Sequence, residues 1–153
     1  MQLPVSGKET GDRAILVAED NEDDAFFLKR AFSDAGLGEK TVFVRDGEEV
    51  IKYLCGLPPF DDRMLCPRVD LLLLDVRMPK LDGIQVLEWL GEHPEVGPLT
   101  VVLYTSDLNV KNRQRAAELG AKDCLEKPVR GEDWPVFMEK VRGFAGAAMR
   151  RDV

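Results

Sequence analysis

Residues 71–74 are four consecutive leucines, and Asp75 follows at once in "LLLLDVRMPKLDG". No other stretch constrains the fold so tightly. A short unbroken apolar run marks a strand buried on both faces, as in parallel sheets packed between helices. An acid directly out of such a strand either caps the next helix or is the group the strand exists to present.

The segments around it share one rhythm. "RAILVA" is an apolar run that ends in two acids, Glu19 and Asp20. "EDDAFFLKRAFSDAG" sets Ala25, Leu28, Phe32 and Ala35 on one helical face, and Gly36 stops it. "TVFVRD" is a strand, and "GEEVIKYLCG" is a short amphipathic helix carrying Val50, Tyr53 and Leu54. "LPPFDDRMLCPR", with three prolines, is a loop. After "VDLLLLD", the helix "GIQVLEWLGE" turns Ile84, Leu87 and either Leu90 or Trp89 inward. "PLTVVLYT" and "AKDCLEKP" are the last strands. "NVKNRQRAAELG", ended by Gly120, and "GEDWPVFMEKVRGFAGAAM" are the helices after them. Trp134 and Pro135 fall in the first turn of the last helix, where proline is tolerated. Five strand-helix units argue an α/β parallel sheet covered on both faces.

A chain of 153 residues suits one domain, expected over residues 13–145, between a flexible polar tail at 1–12 and a short tail at 146–153. The formal net charge of −7 argues against sequence-independent binding to nucleic acid or membrane. No segment has the roughly 18 apolar residues of a membrane span. The N-terminal stretch lacks the apolar core of a signal peptide. Cys55, Cys66 and Cys124 form no C-x-x-C pair and fit a reduced, cytoplasmic protein with inert thiols. His93, the one histidine, precedes Pro94 in a loop and is expected to be exposed.

In open parallel sheets, ligands bind beyond the carboxyl ends of the strands. Strand one ends in Glu19-Asp20, strand three in Asp75, strand four in Thr105-Ser106 and strand five in Lys127-Pro128. Three carboxylates at one edge repel unless a cation joins them. Hard oxygen donors with no histidine or cysteine beside them suit Mg²⁺. A lysine and a hydroxyl beside that metal suit a phosphoryl group, and a carboxylate nucleophile would make an aspartyl-phosphate.

These residues carry a resemblance. Glu19-Asp20, Asp75 within "DVRMPKLDG", Thr105 with Ser106, and Lys127 in "EKP" resemble the motifs of a response-regulator receiver domain. "ILVAEDNEDDAFFLKRAF", "VRDGEEVIKYL" and the long loop before strand three resemble stand-alone receivers associated with phytochrome-type sensor kinases. The resemblance implies a flavodoxin-like, doubly wound sheet of order 2-1-3-4-5 with five helices. It implies that Asp75 accepts a phosphoryl from a sensor histidine kinase, phytochrome-type or other, or from a phosphotransfer protein. Glu19, Asp20, Asp75 and the backbone carbonyl of Arg77 would hold Mg²⁺. Lys127 would pair with the phosphoryl, and Thr105 would carry the switch. A cis peptide is implied before Pro128. The protein would be a phospho-acceptor in a two-component phosphorelay, assisting its own phosphorylation and dephosphorylation rather than acting as an enzyme.

Rival readings fit less well. Phosphohydrolases resembling the haloacid dehalogenase group need an acid two residues after the nucleophile, where this chain has Arg77. The glycine-rich loops of nucleotide binders are missing. A degenerate receiver used only for docking would not need the intact acid pair, Asp75, Thr105 and Lys127. Residues 131–153 leave no room for a DNA-binding domain, so output is expected through protein contact, including a homodimer through the strand 4 and strand 5 face. Receivers usually carry an aromatic three residues before the lysine; here that residue is Cys124, which puts the usual threonine-aromatic coupling in doubt. Phe60, Met64 and Leu65 in the loop either pack back on the second helix or meet a partner. Arg77 and Asp107 lie two residues after Asp75 and Thr105, and either pair and gate water at the acyl phosphate or stand solvated and independent.

Overall fold

The structure, a computed structural model, describes residues 13–149. The tail expected over residues 1–12 lies outside them. Five strands alternate with five helices: β1 (Arg13–Ala18), α1 (Glu22–Asp34), β2 (Thr41–Val44), α2 (Gly47–Cys55), β3 (Arg68–Asp75), α3 (Gly83–Glu92), β4 (Thr100–Thr105), α4 (Val110–Glu118), β5 (Asp123–Glu126) and α5 (Trp134–Met149). All strand pairs are parallel, in the order β2-β1-β3-β4-β5. This is the flavodoxin-like doubly wound arrangement expected from the resemblance.

The leucine run explains the sheet's centre. Leu71, Leu72, Leu73 and Leu74 are all 0% exposed, because β3 is flanked by β1 and β4 and covered by helices above and below. Alternate residues feed two separate cores. Leu72 and Leu74 join Leu16, Ala18, Leu103 and Cys124 beneath α2, α3 and α4. Leu71 and Leu73 join Ile15, Val17, Val102, Tyr104 and Leu125 beneath α1 and α5. Each fully buried leucine stabilises the fold by about 1.5–3 kcal/mol.

Register brings the strand ends together. Ala18 pairs with Leu74, Asp75 with Tyr104, and Thr105 with Glu126. The residues just past each strand therefore share one edge. Helix α3 is capped by Asp82, whose side chain accepts from the Gln85 amide while the Gln85 side chain accepts from the Asp82 amide. Asp75 is thus not a helix cap. Gly83 lets α3 start hard against β3: a Cβ there would lie 2.6 Å from the Asp75 carbonyl oxygen.

Four details differ from expectation. Helix α5 runs to Met149, as its sequence pattern indicates, but the domain bound expected at residue 145 falls inside it, because Ala145 and Ala148, each 2% exposed, extend its buried apolar face. The one cis peptide among the described residues is Pro58–Pro59, not the bond before Pro128, where the trans default holds. In α3 the most buried side chains are Val86 and Leu87, with Ile84 and Leu90 only partly covered. His93 is half-buried rather than exposed: its ring stacks on Trp89 at 4.0 Å and its Nδ1 lies 2.8 Å from the Trp89 carbonyl. The proline-rich loop divides. Phe60 packs on Tyr53 at 5.2 Å, and Arg63 donates to the carbonyls of Tyr53, Leu54 and Cys66. Met64 and Leu65 stay 73% and 77% exposed.

Candidate functional site

The carboxyl edge of the sheet gathers what the strand ends promised. Glu19 and Asp75 are 2% and 3% exposed, while Asp20 faces solvent. One oxygen from each of the three lies within 4.8 Å of the others. Such like charges at short range need a cation, and Lys127 sits among them. Its Nζ is 2.9 Å from Glu19 Oε1, 2.9 Å from Asp75 Oδ2 and 3.1 Å from Asp24 Oδ2. One ammonium serves Glu19, Asp24 and Asp75, and Asp20 lies beside two of them, so acidic groups outnumber the base in the pocket. An all-oxygen donor set of this kind, partly open to solvent, fits a hard divalent cation that retains waters.

The electrostatics follow from burial. The Asp75 carboxyl is raised to about 7: desolvation lifts it most, the Lys127 hydrogen bond pulls it down, and the Glu19 charge pushes it up. Burial opposes the charge on Lys127, but its hydrogen bonds to Glu19 and Asp75 outweigh that and hold the ammonium firmly protonated, with its pKa raised.

Backbone groups orient Asp75. The Arg77 amide donates to Asp75 Oδ1 at 3.1 Å, leaving Oδ2 toward Lys127. Thr105, 2% exposed, ends β4, and its Oγ1 accepts from the Asp107 amide at 3.1 Å. The Lys127 amide donates to the Thr105 carbonyl at 2.8 Å, which ties the ends of β4 and β5 together. Arg77 and Asp107 meet as an exposed pair, Nη2 to Oδ2 at 3.0 Å, with side chains 75% and 58% exposed. Cys124 is buried in the α4-side core at 4% exposure, and desolvation pushes its thiol up, away from the reactive range.

Two residues of the site escaped sequence reading. Asp24, in the first turn of α1, reaches Lys127; the signal was its place in the acidic first turn of the helix that starts just past Glu19 and Asp20. Tyr104, 1% exposed, donates its hydroxyl toward Glu19 Oε1 at 2.8 Å. A tyrosine inside an apolar strand is itself the signal, since a buried phenol needs a partner. Burial first, then the Glu19 and Asp75 charges, hold the Tyr104 phenol far above its ordinary value.

Comparison with known proteins agrees with this edge. The family model described as the response regulator receiver domain matches residues 15–135. The chain is 32% identical over 130 residues to the probable methanogenesis regulatory protein FilR2 of Methanothrix harundinacea, covering 85% of this chain and 81% of that one. Other relatives at 31% identity are longer, and the chain spans 33% of their length. Among solved structures, response regulator RPA3017 in red light signaling of R. palustris superposes with a TM-score of 0.78 at 31% identity, covering 86% of this chain and 92% of that one. The phosphorylated cyanobacterial phytochrome response regulator RcpA does so with a TM-score of 0.75 at 25% identity, covering 87% and 92%. No helix among the described residues is long and apolar enough to cross a membrane. The chain belongs to the response regulator receiver domain family, the phosphoryl-accepting, Mg²⁺-binding modules of two-component signalling.

Proposed function

We propose that Asp75 is the phosphoryl acceptor and that Glu19, Asp20, Asp75 and the Arg77 carbonyl hold Mg²⁺. The observation that carries this is a carboxylate only 3% exposed at the end of β3, set against a lysine shared among three acids. In the transfer, a carboxylate oxygen of Asp75 forms a P–O bond as the P–N bond of a phosphohistidine breaks, and the imidazole nitrogen keeps the electron pair. Bound Mg²⁺ would supply positive charge for the equatorial phosphoryl oxygens. Lys127 releases its contact with Asp75 Oδ2 and pairs with the arriving phosphoryl. Thr105 turns its hydroxyl from the Asp107 amide toward the same group and carries the switch.

The donor is a sensor histidine kinase or phosphotransfer protein. A phytochrome-type kinase is the finer reading, supported by the likeness to red-light and phytochrome response regulators. The domain, which includes α5 through Met149, acts in the cytoplasm and signals by protein contact rather than by catalysis on another substrate. Output runs through the β4-β5 face, where a homodimer would form. Arg77 and Asp107 gate the lifetime of the acyl phosphate by crowding the in-line water. The test is phosphotransfer from a phosphorylated phytochrome-type kinase to wild type, Asp20→Ala and Lys127→Ala. Transfer to wild type alone is expected; equal transfer to all three would refute the site.

A further inference from the structure

One buried hydroxyl at the acidic edge has no part in the transfer described above. Tyr104 lies one residue before the end of β4, and its side chain points into the α1-α5 core. Its hydroxyl is 2.8 Å from Glu19 Oε1 and 3.2 Å from the Ala18 carbonyl oxygen. The ring lies 5.1 Å from Lys127 Nζ on one side and meets Phe137 edge-on at 6.3 Å on another. The phenol is therefore walled in place.

Glu19 has two oxygens with unequal surroundings. Oε1 receives both the Tyr104 hydroxyl and Lys127 Nζ at 2.9 Å. Oε2 receives the Asn21 amide at 3.1 Å. Lys127 divides itself among Glu19, Asp24 and Asp75, so its hold on Glu19 lapses when it turns to a phosphoryl on Asp75. The tyrosine, fixed by its ring packing, keeps its hold. Oε1 then stays turned into the sheet, and Oε2 is the oxygen left for a cation.

We propose that Tyr104 is a positioning residue of the metal pocket: its hydroxyl fixes the Glu19 carboxylate so that a single oxygen is presented to the divalent cation. The inference rests on reading Glu19, Asp20 and Asp75 as that cation's ligands. Groups that orient metal ligands typically change affinity by about 10–100-fold when removed. Tyr104→Phe removes the hydroxyl and keeps the ring.

Mn²⁺ binding is measured by electron paramagnetic resonance, alongside melting with increasing Mg²⁺, in wild type, Tyr104→Phe, Phe137→Leu and Asp20→Ala. Wild type binds, and Asp20→Ala does not. Tyr104→Phe is expected to bind about tenfold more weakly, with phosphoryl labelling restored at saturating Mg²⁺. Phe137→Leu loosens the same core but leaves the hydroxyl, and its affinity is expected to match wild type. Unchanged affinity in Tyr104→Phe, with only its metal-free melting lowered, would reduce the hydroxyl to a core hydrogen bond and overturn the proposal. An equal loss in Phe137→Leu would overturn it as well, by tracing the effect to packing. A wild type that binds no metal overturns the ligand assignment itself and the inference with it.

Discussion

Strand β3 carries a buried acid near each end, and the two have opposite surroundings. Asp70 is 2% exposed and Asp75 is 3% exposed. At the amino edge, Arg13 donates Nε and Nη2 to Asp70 Oδ1, at 2.9 and 2.6 Å. A guanidinium lies directly on this acid, and the contact fastens β1 to β3. At the carboxyl edge, Asp75 shares Lys127 with Glu19 and Asp24, and acids outnumber the base. A buried acid with a full counter-charge of its own is a clamp. A buried acid left with excess like charge is unstable until something else arrives. That imbalance, rather than burial, marks the functional end of the strand. A second contrast runs beside it: Arg13–Asp70 is partly buried, with the acid covered and the arginine reaching solvent, while Arg77–Asp107 is an Arg–Asp pair open to water.

The largest expected effect on stability is at the clamp. Asp70→Ala should lower stability by about 2–3 kcal/mol, under the full figure for a broken buried pair because Arg13 reaches solvent. Urea denaturation measures it, and phosphoryl labelling of the folded fraction should be intact. Loss of labelling there would erase the distinction between the two ends. Next is Gly83→Ala, at about 2 kcal/mol, because the new methyl meets backbone that cannot step aside. Labelling should fall too, since the strained atom is the Asp75 carbonyl oxygen.

A smaller effect of opposite sign is expected at Asp75. The folded protein raises this carboxyl from 3.8 to about 7, so between those values the fold keeps a proton that the unfolded chain has released. The contribution of this group to stability is full below pH about 3.8 and is lost as pH rises through about 7. Without metal, Asp75→Asn should therefore be more stable than wild type at pH 8, by about 1–2 kcal/mol. The gap should narrow at pH 5 and close on adding Mg²⁺ to wild type. Melting curves at the two pH values decide it; a destabilised Asp75→Asn at pH 8 would make Asp75 a second clamp. The smallest effect belongs to the open pair. Arg77→Ala and Asp107→Ala should each change stability by about 0–1 kcal/mol. Both should shorten the half-life of the phosphorylated state, and the double mutant should be non-additive. Equal half-lives would leave the pair as surface charge.

The strand ends were legible because parallel topology alone places them together. Glu19, Asp20, Asp75, Thr105 and Lys127 needed no knowledge of side-chain directions. Asp24 and Tyr104 did. One enters from a helix face, and the other reaches back across the sheet to Glu19, contacts that depend on how α1 docks and how β4 registers on β3. The phase of α3 was ambiguous for a similar reason: several apolar residues offer an inward face, and docking buries Val86 and Leu87 while Ile84 and Leu90 pack at its margin. The last helix was legible through "GFAGAAM", but the domain bound at residue 145 fell inside it, because small alanines are weak markers of a core face until the helix is docked and Ala145 and Ala148 are seen to be buried. In the loop before β3, sequence allowed either outcome for three apolar side chains; Phe60 found Tyr53, and Met64 and Leu65 remained outside.

The most direct measurement maps the phosphoryl by mass spectrometry after treatment with acetyl phosphate and Mg²⁺, in wild type, Asp75→Asn and Asp70→Ala. The account expects one phosphoryl on wild type, mapped to Asp75, the same on Asp70→Ala, and none on Asp75→Asn. Undiminished labelling of Asp75→Asn, or a phosphoryl mapped to any other acid of wild type, would contradict it.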